Sequence, residues 1–187
     1  VAIPQDVQAE AHDWPESLFA ERTWHVARPL PERSAIARAA DVIRTARKPL
    51  IVAGGGVIYS EATVALASFC EQTGIPVGQS QAGKGSLPYD HPQSVGAIGS
   101  TGTTAANALA TEADVVIGIG TRYSDFTSAS RTAFNNPDVR FVNVNVASID
   151  SVKQGGVSVV SDAREAIEAL GVALGDYSVS DEYRTRT

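Results

Sequence analysis

PLIVAGGGV, residues 49–57, packs five apolar residues into an unbroken run and closes it with three glycines. A run this short with no polar alternation reads as a strand buried on both faces, as in a parallel sheet, and the glycines mark a tight turn at its carboxyl end. Upstream, Ile36, Ala39, Ala40 and Ile43 recur at helical spacing from Ser34, with arginines between them, and Pro49 limits that helix. Downstream, Ser60 is placed to cap a helix whose apolar face is Ala62, Leu66, Phe69, Cys70 and Thr73, and Gly74 fits its left-handed end.

The same alternation continues. IPVGQS gives a second strand, then come a helix near 103–111, the strand DVVIGIG, a helix or loop near 124–135, the strand RFVNVNV, a short strand near 157–160 and a last helix from Asp162 to about Leu174. Strand and helix in turn imply right-handed crossovers and a doubly wound, Rossmann-like α/β domain with a parallel sheet of five or six strands flanked by helices. Residues 1–33, with four prolines and the aromatics Trp14, Phe19 and Trp24, read as an interdomain linker lying against a neighbouring surface, residues 34–175 as the domain, and 176–187 as the start of a second linker. The opening VAIPQDVQ reads as a strand end entering a turn, and with no methionine in the chain it suggests a piece of something longer.

Composition narrows the function. With 43% hydrophobic and 19% charged residues the 187-residue chain is an ordinary globular protein, large enough for one core. A formal charge of −6 with scattered lysines and arginines argues against nucleic acid or an anionic membrane as partner, and no apolar run approaches the ~20 residues of a membrane span. Cys70 is the single cysteine, which suits a core position in a cytoplasmic protein.

Several stretches could hold a ligand. Gly54, Gly55 and Gly56 follow a strand as a phosphate turn would, offering positive φ and close backbone approach, but counting G-x-G-x-x-G from Gly54 puts Tyr59 where the last glycine belongs. An empty tight turn is the other reading. GSTGTT, residues 99–104, opens a helix with Thr101 and Gly102 among small side chains, either an anion nest or a plain cap by Thr103 or Thr104. Lys84 stands between Gly83 and Gly85, as a ligand-facing ammonium or a solvated turn residue. Thr121 and Arg122 follow the most apolar strand, at the edge where open α/β sheets bind ligands, with a local Arg122–Asp125 ion pair as the alternative. Asn143 and Asn145 stand where a dinucleotide site wants an acidic residue. His12, His25 and His91 share no ligand spacing, no metal site is expected, and G-x-S-x-G is absent.

RPLP, KPLIVAGGGV, GIPVGQSQAGKGSLPYDHP, SVGAIGSTGTTAANALATEADVVIGIGTRYSD and FVNVNVAS, in this order, resemble the central, DHS-type domain of thiamine-diphosphate-dependent enzymes of the acetolactate synthase and pyruvate oxidase type, over Pro29 to Leu174. Within that group IPQDVQAEAHDWPE, GSTG, GTRYSDFTSAS and VNVNVAS are similar to the trihydroxycyclohexanedione hydrolases of inositol catabolism. The resemblance implies a hydrolase in which thiamine diphosphate and Mg2+ are bound by an N-terminal pyrimidine-binding and a C-terminal diphosphate-binding domain, working as a homo-oligomer on a small cyclic diketone. Neither the catalytic glutamate nor the G-D-G…N signature is expected in this chain. The acetolactate synthases carry histidine where Thr101 stands and an acidic strand end at Asn143 and Asn145, so no FAD is expected. Gly83, Lys84, Gly85 and Arg122 are then candidates for one wall of the substrate entrance. A flavin-binding carboligase centre and a stand-alone nucleotide-binding module are the alternatives.

Overall fold

The computed structural model describes residues 2–186. In chain order it contains α1 (Gln5–Gln8), α2 (Arg33–Arg44), β1 (Pro49–Ala53), α3 (Gly55–Tyr59), α4 (Thr63–Thr73), β2 (Val77–Gln79), β3 (Ser94–Ala97), α5 (Thr104–Glu112), β4 (Val115–Ile119), α6 (Asp125–Ser128), β5 (Arg140–Asn145), α7 (Ser148–Ser151), β6 (Val157–Val160), α8 (Ala163–Leu174) and α9 (Asp181–Arg186). The six strands pair in parallel in the order β3-β2-β1-β4-β5-β6.

Every residue of β1 and β4 is buried. These central strands are covered on both faces, which is why they read as continuous apolar runs. The helices α2 and α4 both pack on α8. Winding runs from β1 outward to β3 and then returns to β4, so right-handed connections put α5 on the face opposite α4. Behind β4 and β5, Tyr123, Phe134 and Phe141 meet edge to face at 5.5–6.0 Å. Cys70 is buried in the core, where desolvation, with Glu71 nearby, pushes its thiol far up and leaves it inert.

Four details depart from the sequence reading. Ser60 caps nothing: α3 occupies 55–59, the Ser60 hydroxyl donates back to the Gly56 carbonyl, and α4 starts after Ala62 without a side-chain cap. A sixth strand, β3, lies inside the glycine-rich connector. The helix ending at Leu174 is not the last, because α9 folds the tail back onto the sheet's amino edge. At the opposite end Gln5–Gln8 form one helical turn, while Val1 lies outside the described residues.

Tyr183 and Arg186 help to hold α9. The Tyr183 hydroxyl donates to the Pro49 carbonyl at 3.0 Å, and Arg186 donates to Glu112, which also accepts from Lys48 at 2.9 Å. The hydrogen bond from Arg186, then that from Lys48, pulls the Glu112 carboxyl down to about 2 from the ordinary 4.5. A depressed carboxylate stabilises fully above its unfolded value and loses that contribution as pH falls towards the folded one. Docking of α9 is therefore expected to loosen between pH 4.5 and about 2. In Glu112→Gln this acid-dependent step, followed by the NMR signals of Tyr183, should vanish.

Candidate functional site

The chain reverses its winding between β1 and β4, and a cleft of about 690 Å3 lies at the carboxyl edge of the sheet there. Open α/β sheets hold ligands at this switch point. Gly55 and Gly56 form one wall, Thr121 and Arg122 another, and Asn145 and Asp162 close the far side. Val26 and Ala27 of the incoming segment also line it.

Of positive φ and close backbone approach, the glycine turn shows only the second. Gly54 is extended (φ −105°), and neither Gly55 nor Gly56 has positive φ, so left-handed freedom is not what this turn requires. Close approach is. A Cβ on Gly54 would lie 2.2 Å from the Gly120 carbonyl oxygen, and one on Gly56 would lie 2.5 Å from the Gly120 Cα. The Gly56 amide donates to the Gly120 carbonyl at 3.1 Å and the Gly54 amide to the Ile119 carbonyl at 2.8 Å. Those two donors, which a phosphate turn would offer to its anion, tie β1 to β4 instead.

The other expected residues separate. Gly83 is buried with its α-carbon against the Ala53 carbonyl, and Gly85 takes a left-handed turn (φ +91°) while its amide donates to Gln79 Oε1 at 2.8 Å. Lys84 between them is exposed and does not line the cleft. Thr101 is exposed and Gly102 half-buried in the turn after β3, also outside the cleft. Asn107 staples that turn by accepting from the Gly99 amide and donating to the Gly99 carbonyl, both at 3.0 Å. Thr103 supplies the α5 cap, accepting from the Ala106 amide at 3.1 Å.

Within the cleft Arg122 is exposed and makes no ion pair among the described residues. Asp125, its expected partner, instead accepts from the Ser130 hydroxyl at 3.2 Å. Asp150 is held by Lys153 at 2.6 Å, whose ammonium also donates to the Arg122 carbonyl at 2.8 Å. Asp162 is buried. One of its oxygens accepts from the Arg164 amide at 2.9 Å, capping α8, and the other takes Arg28 Nη1 at 3.1 Å. The sequence marked Asp162 only as a helix start, and nothing marked Arg28, which joins it from 134 residues away.

Asn145 donates to the Thr121 carbonyl and accepts from the Ala147 amide, both at 3.0 Å, while Asn143 accepts from the Tyr123 hydroxyl at 3.1 Å. Both amides brace strand ends. No histidine or cysteine lines the cleft; His91 sits in the turn before β3, accepting from the Gln93 amide at 3.2 Å. Among the described residues no group of three or more His, Cys, Asp or Glu could hold a metal ion. With both cleft carboxylates already paired, the donor set does not fit a magnesium-bound diphosphate. What remains is one free guanidinium among hydroxyls and backbone, suited to an anionic or polyhydroxylated contact.

The pattern of the thiamine pyrophosphate enzyme central domain matches residues 36–170. The chain belongs to the thiamine pyrophosphate enzymes, as their central domain. This central domain is 46% identical over 95% of its length to the 3D-(3,5/4)-trihydroxycyclohexane-1,2-dione hydrolase of Geobacillus thermodenitrificans, and 44% identical over 98% to that of Clostridium perfringens. It spans 27% and 29% of those relatives. The solved structure of a Mycobacterium smegmatis protein assigned to the thiamin diphosphate-dependent enzymes superposes with a TM-score of 0.70, over 84% of this chain and 30% of that one. At 23% identity that likeness concerns the thiamine pyrophosphate enzyme fold alone.

Proposed function

We propose that this central domain is the scaffold of a thiamine-diphosphate-dependent hydrolase that opens the ring of trihydroxycyclohexane-1,2-dione in myo-inositol degradation. The observation that carries the reading is the identity to hydrolases of that name across almost the whole chain. In this reading the cofactor and Mg2+ are bound by the pyrimidine-binding and diphosphate-binding domains on either side, residues 1–33 and 176–187 lead to them, and the whole enzyme is a cytoplasmic homo-oligomer. The cleft's own donors suit bracing better than cofactor chemistry.

Arg122 provides an exposed cation at the cleft, and Lys84, exposed on the turn between Gly83 and Gly85, lies outside the cleft as a candidate for the wall of the substrate entrance. A flavin-holding carboligase centre is less favoured, because Asn145 would meet the ribose with an amide already bonded at both ends. A stand-alone nucleotide module is disfavoured by the same bonds and by the family match.

The test is to supply the longer chain carrying this domain with thiamine diphosphate, Mg2+ and the dione, and to follow ring opening by NMR. Open-chain acid is expected. Condensation of 2-oxo acids without dione turnover would overturn the proposal.

A further inference from the structure

Residues 2–27 carry large apolar side chains that the domain leaves bare. Trp14 is 59% exposed, Phe19 73% and Trp24 81%. Neither α1 nor the 3-10 turn Glu16–Phe19 contains a buried residue. Among the described residues every hydrogen bond of 2–27 stays within the segment, and the first anchors are Arg28, held by Asp162, and Pro29, whose carbonyl accepts from the Asp162 amide at 2.9 Å. Exposed aromatics in this number mark an interaction surface, with tryptophan the usual anchor. Five carboxylates, Asp6, Glu10, Asp13, Glu16 and Glu21, stand among them against the single Arg22.

The relatives are more than three times as long as this chain, which spans 27–29% of them. The covering surface therefore has a source in the same polypeptide, and the tether at Arg28 fixes its place beside the cleft. We propose that Trp14, Phe19 and Trp24 anchor residues 2–27 in an apolar, basic-rimmed groove on another domain of the same longer chain. This rests on the multidomain reading above.

Trypsin reads the docking directly. Arg22 is the one site in residues 2–32 that trypsin cuts readily, because no lysine occurs there and Arg28 precedes Pro29. Scission after Arg22 is expected to be at least about tenfold slower in the longer chain than in the 187-residue chain, since cleavage follows the undocked population. The double variant Trp14→Ala, Trp24→Ala should restore fast cleavage while leaving the domain's melting temperature unchanged, as neither side chain is part of the core. Equal rates in the two chains would overturn the proposal. So would protection of the 187-residue chain that grows with its concentration, which would make a second copy the occupant. Dione turnover measured on the same samples separates the readings: turnover without protection sinks the docking alone, and protection without turnover supports docking and sinks the hydrolase.

Discussion

Gly54→Ala is expected to destabilise the domain by about 3 kcal/mol or more, enough to lower its melting temperature by roughly 10 °C. The added Cβ would meet only backbone: the Gly120 oxygen at 2.2 Å, its carbonyl carbon at 2.6 Å and the Thr121 Cα at 2.6 Å. No side chain can rotate away to relieve that overlap. The carboxyl ends of β1 and β4 must part, and the hydrogen bonds from Gly54 to Ile119 and from Gly56 to Gly120 would break with them. Gly171→Ala in α8 makes the opposite control. Its Cβ would find Gln72 and Phe69 at ordinary contact, 3.6 and 3.8 Å, and alanine in a helix interior stabilises by about 0.5–1 kcal/mol. Thermal unfolding of the two variants should move in opposite directions; a Gly54→Ala variant melting with the parent would refute the close-approach account.

Asp162→Ala is expected to cost about 2–3 kcal/mol. About 1 kcal/mol comes from the lost cap on α8, where the carboxylate accepts from the Arg164 amide. The rest comes from leaving Arg28, 26% exposed, with only Glu61 at 3.6 Å, a carboxylate too exposed to compensate. Asp162→Asn keeps a capping oxygen while removing the charge, so it should recover roughly the capping share. A double-mutant cycle with Arg28→Ala reads the pair itself. Additive losses would show that the clasp between the incoming segment and the cleft contributes nothing.

The sheet's centre was legible because β1 and β4 are buried on both faces and so written in uninterrupted apolar residues. β3 was not. Its four residues, SVGA, are mostly half-buried, include a glycine with positive φ, and lie in a connector full of turn residues. α9 was hidden for another reason: DEYRTR carries one buried side chain, Tyr183, and Arg186 pairs with Glu112, 74 residues earlier. At the cleft, Thr121 and Arg122 could be placed from their position after an apolar strand. The glycines were found, but which of their two readings applies was not legible, since spacing cannot distinguish a backbone opened to an anion from one pressed against another strand. Lys84, Thr101 and Gly102 stand outside the cleft, which the sequence could not show because small residues and turns accompany ligands and plain connectors alike.

The central claim is that this chain forms a closed layered core while the groups that bind thiamine diphosphate lie in other parts of a longer enzyme. Calorimetric titration of thiamine diphosphate with Mg2+ into the 187-residue chain tests it most directly. No heat of binding is predicted up to about 1 mM cofactor, against saturable binding by the longer chain. Stoichiometric micromolar binding by the 187-residue chain alone would contradict it.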